Sequence, residues 1–263
     1  MFSSIWLKKS FSQHLLKDVS FAKRIVDSMN IGEYDSILEI GPGGGALTEW
    51  LIKSPVERIM AVELDKRFYP FLTARFGQDD RFHLIENDFL KMDLHVLIST
   101  GKKLRIVGNL PYAITTPILF RILDNRSLID DLIVTVQKEV AERIVSCPGT
   151  KVYGIPSVFF QLYSNSEILF NIPRNAFFPV PKVDSAVLKI SFREEPLFPV
   201  HDTLLFQQVV KTVFQQRRKM LKNTLKRFVQ KDDVLDRVPL DLSRRPETLT
   251  VFEFVQVSNF LAS

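Results

Sequence analysis

Three features of this chain could do chemistry together: a glycine run, two isolated acids downstream of it, and an Asn-Leu-Pro-Tyr tetrapeptide. Gly41-Pro42-Gly43-Gly44-Gly45 directly follows a short apolar run, and residues without a Cβ let the backbone approach a ligand closely. The spacing is not the G-x-G-x-x-G of a dinucleotide site, because Ala46 and Leu47 follow Gly45. Taken alone, the run reads as a tight β-to-α turn. Glu63 and Asp88 end the next two apolar runs. A carboxylate in the first place can accept hydrogen bonds from both hydroxyls of a ribose, and one in the second can accept from an adenine amino group. Either acid alone would be an ordinary solvated strand-end charge. With the glycine turn they compose a nucleoside pocket across three consecutive strand ends, the arrangement of methyltransferases that use S-adenosylmethionine. Neither carboxylate is expected to hold the core.

Asn109-Leu110-Pro111-Tyr112 follows a fourth apolar run and would face the same crevice. The exocyclic nitrogen of adenine has its lone pair delocalised into the ring, so it is a poor nucleophile until its geometry moves toward tetrahedral. The Asn109 side-chain oxygen, together with the main-chain carbonyl of Leu110 or of Pro111, could accept the two amino hydrogens and aim the lone pair at a sulfonium methyl. Tyr112 would stack on the base, which contributes on the order of 1–3 kcal/mol. A carboxamide is neutral and non-basic, so Asn109 acts by positioning and electrostatics, not as a general base. An isolated Asn-x-Pro-Tyr could be a strand followed by a proline turn, with the tyrosine as packing, but after this glycine turn and these acids that reading no longer competes.

The elements that must carry these residues are legible in the pattern. Ser36 to Ile40, Arg58 to Val62, Phe82 to Ile85, Leu104 to Val107 and Leu132 to Val136 are short β-rich runs separated by helix-compatible stretches. Strands that are apolar nearly throughout and alternate with helices imply a parallel sheet covered on both faces, hence a doubly wound, Rossmann-like α/β domain. A helix near Pro156 to Tyr163 follows, then two more runs, Glu167 to Ile172 and Ser185 to Phe192, expected to pair antiparallel at the sheet edge. Beyond Glu194-Glu195-Pro196 the strand signals stop. Val210, Phe214, Leu221, Leu225 and Phe228 recur at three- and four-residue steps within one amphipathic helix. The expected division is residues 1–193 and a small helical domain over 194–263.

At these residues the chain resembles the ribosomal RNA adenine N6,N6-dimethyltransferases, most of all the bacterial small-subunit type, and the resemblance covers nearly the whole chain. Lys9 to Leu16 is similar to the family's K-x-F-x-Q-N-F-L, with His14 and Leu15 in place of Asn and Phe. Glu39-Ile40-Gly41-Pro42-Gly43, Glu63-Leu64-Asp65, Asn87-Asp88 and Asn109 to Pro117 follow in order, and Phe177 to Ala186 is similar to F-x-P-x-P-K-V-D-S-A. The resemblance implies contacts to S-adenosylmethionine at His14, Leu16, Gly41, Gly43, Glu63, Asp88 and Asn109. It implies a target site of Asn109, Leu110, Pro111 and Tyr112, with Phe177 packing against the target base opposite Tyr112. It further implies methylation at N6 of two adjacent adenosines near the 3′ end of 16S rRNA, within the small ribosomal subunit or its precursor, by a cytoplasmic monomer without a membrane or metal partner.

Net charge is +5, but Lys211 to Lys231 holds eight basic residues and no acid, leaving 27 basic against 30 acidic residues elsewhere. Such a run is most often a solvated helix face. Phe214 to Leu225 is similar to the small-subunit enzymes' F-x-Q-R-R-K-x-L-x-N-x-L, which turns the reading toward an RNA-binding surface. Arg218, Lys219, Lys222 and Lys226 are the candidates, and Arg218, Lys222 and Lys226, at four-residue steps, would share one helix face. Arg217, near the apolar stripe, is expected to be structural. One cysteine and four histidines provide no zinc spacing and no internal disulfide. No apolar run is long enough for a membrane span, and the first residues lack a secretory apolar core. The competing functions are a 23S rRNA methyltransferase of the macrolide-resistance type, a non-catalytic RNA-binding assembly factor on the same fold, and a small-molecule methyltransferase. The C-terminal motif argues against the first, the intact pocket and tetrapeptide motifs against the second, and the basic segment against the third.

Overall fold

The computed structural model describes residues 14–98 and 102–263, so Lys9 to Gln13 of the first motif lie outside the described residues. Seven strands form one sheet: β2 (Ser36–Ile40), β3 (Arg58–Glu63), β4 (Phe82–Glu86), β5 (Leu104–Asn109), β6 (Ile129–Gln137), β7 (Ser164–Ile172) and β9 (Ser185–Phe192). Their order across the sheet is β4-β3-β2-β5-β6-β9-β7, while β1 (Leu15–Leu16) and β8 (Phe177–Phe178) make a separate antiparallel ribbon. The first five strands are parallel and β9 runs antiparallel to β6. The two late runs are neighbours at the sheet edge.

Alternation within the strands explains the layers. Ile37, Ile59, Ala61, Val107, Ile133 and Val187 pack with residues of three helices, α1 (Val19–Asp27), α2 (Thr48–Ile52) and α3 (Tyr69–Phe76), in one apolar cluster. Leu38, Met60, Val62, Ile106 and Val134 point to the opposite face and are equally buried. Apolar side chains on both faces are why these strands read as continuous hydrophobic runs. Chain order reverses between β2 and β5, which are hydrogen-bonded neighbours, and a ligand crevice opens at such a switch point beyond the strand carboxyl ends. Gly41 leaves β2 there and Asn109 ends β5, ahead of α4 (Thr115–Asp124), and α5 (Lys138–Val145) follows β6.

The chain forms two compact units, one from residues up to 141 with 167–192, the other from 142–166 with 193–263. This differs from the expected division, because the stretch 142–166 joins the C-terminal unit. Within that unit Phe159 of α6 (Ile155–Tyr163) meets Phe206 of α7 (Thr203–Gln215) edge-on at 5.6 Å, and Tyr153 meets Phe214 at 6.2 Å. Periodicity cannot reveal such contacts between side chains 47 and 61 positions apart.

The single amphipathic helix expected across Val210 to Phe228 is also corrected. α7 stops at Gln215, and a new short helix, α8 (Leu221–Leu225), starts after a turn. The amides that begin α8 are satisfied from elsewhere: Leu221 N–H donates to the Arg244 carbonyl and Lys222 N–H to that of Leu242, both at 2.9 Å. Three adjacent cations, Arg217-Arg218-Lys219, fall in the break, where they need not crowd on one helix.

Candidate active site

Three adjoining cavities line the crevice, and Gly41 borders all of them. The glycine turn is shaped by backbone that disfavours side chains: Gly41 and Gly43 have φ of 68° and 50°, and a Cβ on Gly43 would lie 2.9 Å from Leu15 Cδ2. The Gly43 amide, so placed, donates to Glu63 Oε2 at 3.0 Å, while the Asp65 amide donates to Oε1 at 2.8 Å. Glu63 is 5% exposed. Burial pushes its carboxyl up, and the two amides pull it back. Each oxygen keeps a further lone pair to accept from a ligand hydroxyl. Besides facing the crevice, Glu63 anchors both the glycine turn and the start of the next loop.

The largest of these three cavities, about 230 Å³, is bounded by Gly41, Glu63 and Asp88 and walled by Ile40, Val62, Leu64, Phe89 and Ile118. Apolar walls with a few convergent acceptors suit a flat heterocycle. Asp88 accepts the Leu90 amide on Oδ1 at 3.0 Å, and Lys91 Nζ stands 3.7 Å from Oδ2. Leu64 and Phe89 carry no chemistry and were invisible as site residues; their only signal is adjacency to Glu63 and Asp88.

Around the second cavity the structure brings together His14, Gly41, Gly43, Glu63, Asn109, Leu110, Pro111 and Tyr112. Asn109 Nδ2 donates to the His14 main-chain carbonyl at 2.7 Å. A carbonyl can only accept, so this bond fixes which end of the amide carries hydrogens and leaves Oδ1 as an acceptor. The Pro111 carbonyl already receives the Ile114 amide at 3.1 Å and the Thr115 hydroxyl at 2.9 Å. Of the two carbonyls considered, only that of Leu110 avoids competition with this turn. Gly108, just before Asn109, is required by packing, since a Cβ there would meet the Ile40 carbonyl oxygen at 2.7 Å.

The Tyr112 ring lies 5.1 Å from the His14 ring at 32°, and its hydroxyl shares a 2.6 Å hydrogen bond with Ser185 Oγ. Burial raises the Tyr112 phenol above its usual range. Ser185 is fully buried and is a site residue that sequence reasoning passed over. Phe177 departs from expectation. It pairs with Leu16 in the β1–β8 ribbon, is 0% exposed and belongs to the core cluster. Alternation instead turns the next residue, Phe178, outward, 54% exposed.

The third cavity joins Leu15, Leu16, Gly41 and Asn109 to Glu39, an acid inside an otherwise apolar strand. Glu39 is 1% exposed and accepts the Thr48 hydroxyl at 2.6 Å. Burial, opposed by that bond and reinforced by the Glu63 charge, pushes its carboxyl up to about 7. A charge-bearing residue in the middle of Ser36-Ile37-Leu38-Glu39-Ile40 was the available signal.

The basic candidates lie in the other unit. Arg218 and Lys219 are exposed in the turn between α7 and α8, Lys222 is on α8, and Lys226 starts a single 3₁₀ turn. They do not share one helix face. Lys222 Nζ is 2.8 Å from Asp236. Arg217 donates to the Thr150 carbonyl and stands 3.7 Å from Glu247, a structural role.

Residues 6–262 match the family described as ribosomal RNA adenine dimethylase. The chain belongs to that family. Family members identified by curated name include ribosomal RNA small subunit methyltransferase A of Pseudomonas aeruginosa, 42% identical over 97% of this chain and 94% of the relative. The protein of the same name from Bacillus thuringiensis is 40% identical over 97% and 91%. Among solved structures, a dimethyladenosine transferase from Plasmodium falciparum superposes with a TM-score of 0.79 at 23% identity, covering 93% of this chain and 96% of that one. The 23S rRNA methyltransferase ErmE gives 0.71 at 23% identity, covering 95% and 100%. These two likenesses establish the Rossmann-like fold. Family membership makes this chain an rRNA adenine dimethyltransferase. Among the described residues, no helix is long and apolar enough to cross a membrane, and no three His, Cys, Asp or Glu side chains are grouped to hold a metal.

Proposed function

We propose that this protein transfers methyl groups from S-adenosylmethionine to the N6 atoms of two adjacent adenosines near the 3′ end of 16S rRNA, giving N6,N6-dimethyladenosine. The observation that carries the reading is the fixed Asn109 amide, whose Oδ1 is left to accept beside the cradle formed by Gly41, Gly43 and Glu63. The cradle fits the methyl donor: a Cβ on Gly43 would close it, and the Glu63 carboxylate retains acceptor capacity for ribose hydroxyls. Glu63 and Asp88 would hold the nucleoside, with His14, Leu16, Gly41, Gly43 and Asn109 along the remainder. When bound, S-adenosylmethionine supplies an electrophilic methyl group on a positively charged sulfur.

The chain's own residues do the rest by positioning. Asn109 Oδ1 and the Leu110 carbonyl accept the two amino hydrogens, which favours a pyramidal nitrogen and directs its lone pair. Tyr112 offers a π face to the extruded base. Arg218, Lys219, Lys222 and Lys226 serve as phosphate contacts; the Lys222–Asp236 pair is solvent-exposed and worth little, so a phosphate can displace it. The relatives named for the small subunit favour 16S over 23S rRNA. We take the working form to be a cytoplasmic monomer.

Incubation with labelled S-adenosylmethionine and undermethylated 30S or 50S particles, followed by mapping of the modified base, tests the assignment. Dimethyladenosine at two neighbouring positions near the 3′ end of 16S rRNA is expected. Label confined to 23S rRNA, or none in either particle, overturns it.

A further inference from the structure

His14 occupies a position at which the family motif has asparagine, yet the structure gives its ring a task that does not depend on imidazole chemistry. Nδ1 lies 2.7 Å from the Pro179 carbonyl oxygen. That oxygen only accepts, so Nδ1 carries the proton. In histidine Nδ1 is bonded to Cγ, and in asparagine Nδ2 is bonded to Cγ. Both side chains can therefore present an N–H at the same distance from the backbone. Aspartate has the shape of asparagine but, ionised, only accepts.

The bond closes a circuit. The His14 main chain accepts from Asn109, its side chain donates to Pro179, and Ser185, at the far end of the same loop, meets the Tyr112 hydroxyl at 2.6 Å. The segment 179–185 is thereby tied at both ends to the segment 109–112. This loop and the Phe178 preceding it present exposed apolar side chains, with Phe178 at 54%, Val180 at 55% and Val183 at 42%.

We propose that residue 14 is a positioning residue, a latch that holds the loop 179–185 against the Asn109–Tyr112 segment, and that its requirement is a hydrogen-bond donor on Cγ, met equally by histidine and asparagine. The proposal rests on the reading of Asn109 to Tyr112 as the target-base site. It accounts for the departure from the motif at His14 without assigning the imidazole a chemical step.

The test compares His14→Asn, His14→Asp and His14→Ala in the full chain. Three quantities are measured: affinity for S-adenosylmethionine by calorimetry, single-turnover methylation of undermethylated 30S particles at saturating S-adenosylmethionine and RNA, and amide hydrogen exchange of the loop 177–185 in the protein alone. One lost hydrogen bond predicts a rate about 2- to 12-fold lower in Ala. Asp should be at least as slow, because two acceptors would face each other, and Asn should restore the wild-type rate to within about 2-fold on the same scale. Loop exchange should quicken in Asp and Ala but not in Asn, and because His14 also borders the donor cradle, the rate is compared only at saturating S-adenosylmethionine, so that any loss of donor affinity is separated from the latch. Asp as active and as protected as Asn, Asn as impaired as Ala, or a loss fully recovered by excess S-adenosylmethionine each overturns the latch. If the wild-type protein fails to methylate the particles, the target-base reading falls, while the exchange comparison of Asn with Asp still decides the latch.

Discussion

Replacing Glu39 by glutamine probes the buried acid at the floor of the crevice. A carboxyl held at about 7 in the folded protein and near 4.5 when unfolded keeps its proton in the native state over a range where the unfolded chain has lost it. Native protein then binds more protons than unfolded protein, so stability falls as pH rises through this window. The contribution is fully present below about 4.5 and is lost as pH passes the folded value of about 7. Between pH 5 and pH 8 the loss amounts to roughly 2.5 kcal/mol. Glu39→Gln has no charge to bury and should escape this loss, although it starts less stable because its NH₂ lacks the carboxyl's partners. Glu63, also raised by burial, titrates in the same direction and is present in both proteins, so the informative quantity is the difference between them. Urea unfolding at half-unit steps of pH, read by far-ultraviolet circular dichroism, measures it. Curves for the two proteins that run parallel from pH 5 to pH 8 would show that Glu39 is ionised throughout, and the burial argument would fail.

Glu63→Ala and Asp88→Ala should both weaken S-adenosylmethionine binding by calorimetry, but only the former should lower Tm substantially. It strips the Gly43 and Asp65 amides of their acceptor, about 1–3 kcal/mol for a buried donor left unpaired; equal Tm losses would contradict this. Tyr112→Ala should slow single-turnover methylation about 5- to 150-fold. Tyr112→Phe keeps the π face but abandons Ser185 Oγ, so a smaller loss of about 2- to 12-fold is expected; an unaffected Phe variant would deny the hydroxyl its role. Phe177→Ala should destabilise by about 3–5 kcal/mol as a core truncation, whereas Phe178→Ala should stay near 0.5 kcal/mol, and denaturation midpoints with the reverse order would refute the assignment of the two rings. Arg218→Ala and Lys219→Ala should each make RNA binding less steeply dependent on salt, by about one in the log–log slope, without altering the single-turnover rate at saturating RNA; unchanged slopes would remove them from the interface.

The alternating strands, the glycine turn and the acids and amide at successive strand ends are all legible in the residue pattern. In a parallel sheet all strand carboxyl ends meet at one edge, so Gly41, Glu63, Asp88 and Asn109 converge once the strands are recognised. Periodicity is a local property, however, and it stops where distant segments meet. The folded chain sets Phe177 inward and Phe178 outward, because their pairing with Leu16 and Leu15 fixes the register. It decided that the Pro111 carbonyl is occupied, leaving the one of Leu110, and that Tyr112 has a hydroxyl partner 73 positions away at Ser185. It broke the basic helix by giving the amides of Leu221 and Lys222 acceptors on Arg244 and Leu242. A single buried hydrogen-bond partner outweighs helix propensity of a few tenths of a kcal/mol per residue, and no local pattern records where that partner will be.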